Sequence, residues 1–227
     1  MMRRNGLGYV ARALLFNVML IGAIALGSLQ ARASEPGPLK ILALGDSLTA
    51  GYGLQTPDAF PAQLEAALAK LGVKAKVLQG GVSGDTTAGG RARLAWALAA
   101  KPQIAIVELG ANDGLRGLDP TQTRANLDAI IRELKAAKVT VLLTGMYAPP
   151  NLGREYERHF NPIFPELAKA HDVAFYPFFL AGVAARPHLN QADGIHPNAA
   201  GVRVIVERIA PSVIRLIEPL ARARADG

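Results

Sequence analysis

The sequence predicts an α/β fold built on a parallel sheet. Short apolar runs alternate with longer amphipathic segments along most of the chain, the pattern of strands and crossover helices. Several of the short runs are hydrophobic almost without interruption, as strands covered on both faces are. Polar, glycine-rich turns follow four of the periodic segments, and in open α/β sheets ligands bind beyond the carboxyl ends of the strands.

Residues 1–33 stand apart from that pattern. Arg3, Arg4 and Arg12 flank an apolar run from Ala13 to Leu26, and Ala31-Arg32-Ala33 has the small-x-small spacing of a signal peptidase site. A retained anchor is the alternative, but the run falls short of the roughly 20 residues that span a bilayer. The reading is a cleaved secretory signal peptide, cut after Ala33, with a single exported domain at 34–227 whose cysteine-free composition is compatible with the oxidising bacterial periplasm. Cleavage removes four arginines and no acid, so the formal charge falls from +7 to +3.

After a Pro/Gly lead at Ser34–Pro38, the candidate strands are Leu39–Leu44, Ala75–Leu78, Ile104–Leu109, Val139–Thr144 and Val173–Tyr176. Helical periodicity covers Ala59–Leu71, Gly90–Ala100, Thr121–Ala137, Arg154–Ala170 and Asn198–Leu216, with Gly72 and Pro102 placed where helices should stop. There is no internal repeat and no interior linker, and Ala221–Gly227 is expected to fray. A chain of 227 residues is the size of one domain.

Composition removes several function classes. With no cysteine, disulfides, thiolate metal sites and cysteine nucleophiles are excluded. The basic residues left after cleavage, such as Arg124, Arg132, Lys135 and Lys138, lie along helices as on a solvated face, with no interleaved aromatics of the kind a nucleic-acid platform needs. No heptad pattern argues against a monomer.

The chemistry should lie in the turns: Gly45-Asp46-Ser47-Leu48, Gly80-Gly81-Val82-Ser83-Gly84-Asp85, Gly110-Ala111-Asn112-Asp113-Gly114 and Asp193-Gly194-Ile195-His196-Pro197. Of five serines, only Ser47 and Ser83 stand at strand ends, and Ser47 follows the most strongly patterned strand. A serine hydroxyl attacks poorly unless a base takes its proton and a third group orients the base. His159 lies inside a helical pattern, His171 ends that helix, and His188 is in a Pro-flanked loop. His196 follows Asp193 by three residues, a spacing that lets one turn carry both side chains to one side; an Asx turn capping the next helix fits the same residues. Gly84, the Ser47 N–H and the Asn112 amide supply candidate donors to an oxyanion, and each is equally at home in an ordinary turn.

Together these four blocks resemble those of the SGNH (GDSL) hydrolases, named for the Ser, Gly, Asn and His they carry. The resemblance covers about Leu39 to Leu220 and is closest to the bacterial periplasmic acyl-CoA thioesterase/lysophospholipase and arylesterase subgroup. Val107-Glu108-Leu109-Gly110-Ala111-Asn112-Asp113-Gly114-Leu115-Arg116-Gly117 and Tyr176-Pro177-Phe178-Phe179 look like that subgroup in particular. Ala111 departs from the Gly common in the third block. The resemblance implies a three-layer α/β/α flavodoxin-like sandwich, with Ser47 as nucleophile, His196 as base and Asp193 orienting it. It also implies an oxyanion hole of Ser47, Gly84 and Asn112.

The implied reaction hydrolyses an ester or thioester through an acyl-enzyme, without metal or other cofactor. Asp46 and Asp113 are expected to brace their turns. The segment Gly145–Gly153, with Met146, Tyr147, Pro149 and Leu152, is the candidate wall for the acyl group, or else a Pro-stiffened connection. The expected partner is a small acyl ester or thioester, with at most transient contact with membrane lipid. Two other readings stay open: a divalent metal held by Asp46, Asp113, Asp193 and His196 for phosphoester hydrolysis, and a secreted binding module.

Overall fold

The computed structural model describes residues 37–225, so the signal-peptide reading of 1–33 lies outside the described residues. Five strands, β1 (Leu39–Gly45), β2 (Ala75–Gly81), β3 (Ile104–Glu108), β4 (Thr140–Thr144) and β5 (Ala174–Tyr176), form one sheet in the order β2-β1-β3-β4-β5, parallel throughout. The helices are α1 (Ser47–Ala50), α2 (Phe60–Lys70), α3 (Thr87–Ala92), α4 (Leu94–Leu98), α5 (Ala111–Leu115), α6 (Pro120–Ala136), α7 (Gly153–Phe160), α8 (Ile163–His171) and α9 (Ala199–Ala225).

Strand order determines the layers. From β1 the chain steps to β2 at one edge, then reverses and runs through β3, β4 and β5. Right-handed crossovers therefore put α2 on one face and the helices between β2 and β5 on the other. The packing agrees: α2 lies against α9, while α6 lies against α3 and α8. This is the expected three-layer sandwich, and its order is the flavodoxin-like one. The reversal leaves a crevice between the C-terminal ends of β1 and β3, where Ser47 and Asn112 emerge.

The central strands are sealed on both faces, with Ile41, Leu44, Ile104 and Ile106 fully buried. Phe60 and Phe179 meet edge-on at 5.1 Å, and Phe160 and Phe164 at 5.5 Å. Aromatic pairs in these geometries add about 0.5–1.5 kcal/mol beyond the area they bury.

Several boundaries differ from the sequence expectation. The second strand runs three residues further, through Gln79, Gly80 and Gly81, because its glycines let it lie against its neighbours: a Cβ on Gly80 would sit 2.6 Å from the Ala43 carbonyl oxygen. The helix expected at Gly90–Ala100 starts earlier, where the Thr86 hydroxyl caps the Gly89 N–H, and is broken at Arg93. The single helix expected at Arg154–Ala170 is two, separated at Asn161 and Pro162, since proline offers no N–H for the intrahelical ladder. The last helix continues through Ala225 past Pro211 and Pro219, so residues 221–225 are helical rather than frayed.

Gly80→Ala is expected to destabilise the fold by about 1–3 kcal/mol, because the added methyl meets main chain that cannot yield. Urea denaturation of the variant beside the parent checks this.

Candidate active site

Gly45 ends β1 with its Cα pressed against the neighbouring strand: a Cβ there would lie 2.4 Å from Glu108 Oε2 and 2.1 Å from Thr49 Oγ1. Only glycine allows the chain to leave the sheet at this point. Asp46 then caps α1, its Oδ1 accepting the Leu48 N–H at 3.0 Å. Ser47 is consequently the first residue of a helical turn at the crevice.

The C-terminal turn reaches this serine from the far end of the chain. Ser47 Oγ lies 2.9 Å from His196 Nε2, and His196 Nδ1 lies 2.7 Å from Asp193 Oδ2. A carboxylate only accepts, so Nδ1 carries the proton and Nε2 presents its lone pair to the serine hydroxyl. Asp193 Oδ1 accepts the N–H groups of Ile195 and His196 at 2.9 and 3.0 Å. The Asx turn and the contact with the imidazole thus coexist, one on each carboxylate oxygen, while Asn198 caps α9 instead. The His196 and Ile195 donors hold the Asp193 carboxyl down at about 2, so it is ionised at any ordinary pH. Tyr52 covers the imidazole, with ring centroids 4.5 Å apart.

Gly84 sits in the second turn at φ +84°, a conformation that disfavours a side chain even though a Cβ would meet only Arg116 Nη2 at 3.6 Å. Arg116 donates to the Gly84 carbonyl at 2.8 Å. Arg93 donates to Asp85 at 2.6 Å and to the Gly45 carbonyl at 2.8 Å, tying the second turn to the end of β1. Among the described residues, the N–H groups of Ser47 and Gly84 donate to no other protein group. Asn112 behaves differently. Its Nδ2 donates to Asp46 Oδ2 at 3.0 Å and to the Asp85 carbonyl at 2.9 Å, so both amide hydrogens have protein acceptors.

Asp113 is buried and acts as a brace: it accepts from the Thr87 N–H and hydroxyl at 2.8 and 2.5 Å and from Thr123 at 3.2 Å. Its carboxylate is therefore directed to α3 and α6, away from Ser47. Among the described residues, no three His, Cys, Asp or Glu side chains converge as metal ligands would. Asp46 is also buried, and desolvation pushes its carboxyl up to about 6 against the Leu48 and Asn112 donors.

The other candidates separate from the site. Ser83 is exposed and has no histidine partner among the described contacts. His159 and His188 are exposed, and His171 pairs with Asp128 at 2.7 Å. In the segment after β4, Met146 is buried in the core, whereas Tyr147 is exposed and lies on Phe178 at 4.5 Å. Pro149 and Leu152 lie against Gly114 and Gly117. The segments after β3 and β4 thus pack against each other.

Sequence reasoning assigned no role to Thr49, Tyr52, Arg93 or Glu108. Glu108 alone left a signal, a carboxyl in an otherwise apolar strand. It is fully buried, and burial with the nearby Asp46 charge pushes its carboxyl well above the usual range.

A family model described as GDSL-like Lipase/Acylhydrolase matches residues 43–204. The chain is 38% identical over 201 residues to Esterase TesA of Pseudomonas aeruginosa, covering 88% of this chain and 98% of that protein. It is 42% identical over 178 residues to Thioesterase 1/protease 1/lysophospholipase L1 of Escherichia coli, covering 78% of this chain and 84% of that protein. The crystal structure of AlinE4, an SGNH-hydrolase family esterase, matches with a TM-score of 0.68 at 48% identity, over 81% of this chain and 98% of that one. With its four blocks in order on a flavodoxin-like sheet, the chain belongs to the GDSL-like lipase/acylhydrolase family.

Proposed function

We propose that the protein hydrolyses carboxylic esters and thioesters through an acyl-enzyme on Ser47. The observation that carries this is the continuous contact from Ser47 Oγ through the His196 imidazole to Asp193, at 2.9 and 2.7 Å. His196 Nε2 takes the hydroxyl proton as Oγ bonds to the acyl carbon. The tetrahedral intermediate then expels the alcohol or thiol, which receives the proton from His196. Water, deprotonated by the same imidazole, attacks the acyl-enzyme; the acyl C–Oγ bond then breaks, releasing the acid as His196 returns the proton to Ser47 Oγ.

Charge develops on the carbonyl oxygen in both steps. The N–H groups of Ser47 and Gly84 are free to receive it, and Asn112 is the third donor of the set. Because its amide hydrogens are held by Asp46 and Asp85, Asn112 donates to an oxyanion by sharing or exchanging one of those bonds. Asp46 and Asp85 keep the amide in place until then. The names of the relatives, esterase and thioesterase/lysophospholipase, support an acyl ester or thioester as substrate. Tyr147, Pro149 and Leu152 line the acyl side, with Met146 supporting them from the core.

The protein acts as a monomeric single domain, touches lipid only while acquiring substrate, and is exported to the periplasm by residues 1–33. Expressed with its leader in a Gram-negative host, the periplasmic form is expected to have the intact mass of a chain beginning at Ser34. A mass retaining residues 1–33 would instead mean an anchored enzyme.

On p-nitrophenyl esters of graded chain length, Ser47→Ala is expected to lower kcat by about 10³-fold or more, with EDTA without effect on the parent. Tyr147→Ala is expected to raise KM for the long esters several-fold more than for the acetate. Retained activity in Ser47→Ala, or its loss in EDTA, would point to the metal reading.

The depressed Asp193 carboxyl sets a pH signature. A group whose folded pKa lies below its unfolded value stabilises above the unfolded pKa and loses that contribution as pH falls through the folded one. The melting-temperature advantage of the parent over Asp193→Asn is therefore expected to hold at neutral pH and to shrink as pH drops from 3.8 toward about 2.

A further inference from the structure

Glu108 takes no part in the acyl-transfer steps, yet it lies directly beneath the nucleophile turn. It is the last residue of β3 and stands in register with Gly45. Its Oε2 accepts the Thr49 hydroxyl at 2.7 Å and the Asp46 N–H at 3.3 Å, one residue on each side of the segment Ser47-Leu48. Its Oε1 is buried and has no hydrogen-bond partner, and it is the only such side-chain atom among the described residues.

The charged groups around it define its state. Asp46 is the nearest and has N–H donors on both oxygens, Leu48 and Asn112, which favour the carboxylate. Arg93 reaches the Gly45 carbonyl and Asp85 rather than Glu108. Asp85 and His196 act on Asp46 from the second and last turns. No cation among the described residues pairs with Glu108. Two carboxylates cannot both ionise in one dry space without large cost, and a bare buried carboxylate oxygen is worse than a neutral one. The proton therefore resides on Glu108, on the oxygen that receives no donor.

We propose that Glu108 is a positioning residue that, as a neutral acid, clamps the turn carrying Ser47 through the Asp46 N–H and the Thr49 hydroxyl. It acts through the main chain and touches no substrate. With Glu108 neutral, Asp46 stays anionic and holds the Asn112 amide, so one buried proton keeps both the nucleophile turn and the third-block turn in place. The inference rests on Ser47 being the nucleophile.

The experiment compares the parent, Glu108→Gln, Glu108→Ala and Ser47→Ala for kcat and KM on p-nitrophenyl butyrate, and for melting temperature from pH 4 to 9. Glutamine imitates the neutral acid, so kcat and KM are expected within about twofold of the parent. Alanine leaves the turn unclamped and is expected to lower kcat about 10–100-fold with KM little changed, since small misplacements of a reacting group cost on that order. The raised Glu108 pKa stabilises the parent fully below the unfolded value of 4.5 and loses that contribution as pH rises toward the folded one. The melting temperature of Glu108→Gln relative to the parent is therefore expected to climb as pH rises from 4.5.

A glutamine variant as impaired as alanine, an alanine variant with parental kcat, or a melting-temperature gap that does not change with pH would each overturn the proposal. Should Glu108→Ala fail to fold, the glutamine variant's kinetics and pH dependence still decide it. Retained activity in Ser47→Ala would instead remove the nucleophile reading, an outcome distinct from any of these.

Discussion

The parallel pairing of β1 with β3 is the constraint on which the rest depends. These strands are buried on both faces, so their polar groups must appear at the ends, and the chain reverses direction across the sheet between them. The crevice this leaves at the C-terminal edge is where the turns must cross. Gly45 and Glu108 face each other there in register, close enough that a single added carbon would not fit. The nucleophile turn and the third-block turn thus diverge from one point of contact, which sets where Ser47 and Asn112 stand relative to each other.

From that point the site is laced together by side chains reaching main chain. Arg93 joins the second turn to the end of β1, Asn112 joins the first turn to the second, and Asp113 ties the third to α3 and α6. Each bond crosses between loops that are distant in sequence, so positional order in the crevice comes from the network rather than from any one loop. The last turn is the exception. Asp193 holds His196 through local bonds within four residues, and that turn is coupled to the first by the Ser47–His196 contact and by Gln191, which donates to the Tyr52 carbonyl at 2.7 Å.

Burial separates the roles of chemically similar groups. Asp193, at the exposed rim with N–H donors on one oxygen and the His196 imidazole on the other, is stabilised as an anion. Asp46, buried but still given two donors, is raised only to about 6. Glu108 is completely buried beside an anionic neighbour, with the Thr49 and Asp46 donors both on Oε2 and none on Oε1, and is driven furthest toward the neutral form. Four carboxyls near one serine, counting Asp113, therefore stand in different surroundings: one contacts the imidazole, two brace turns, and one lies buried beneath the Ser47 turn.

The sequence alone determined the α/β class, the five strands and the order of the four blocks, and it singled out Ser47 and His196, which the fold brings within 2.9 Å of each other. Each rests on local information: hydrophobic period, strand-end glycines, and short motifs whose members lie within a few residues. What only the tertiary structure decided is non-local. The break at Arg93 coincides with bonds to distant main chain, Arg93 reaching the Gly45 carbonyl at 2.8 Å, whereas the break at Asn161-Pro162 has its local cause in the proline. Met146 and Tyr147 are adjacent and both large, yet one is core and the other surface, which chain order does not distinguish. Glu108 reads in sequence as an interruption of an apolar strand; its meaning comes from the Thr49, Asp46 and Gly45 atoms brought against it by strand pairing, because a buried charge is defined by its surroundings and not by its own identity.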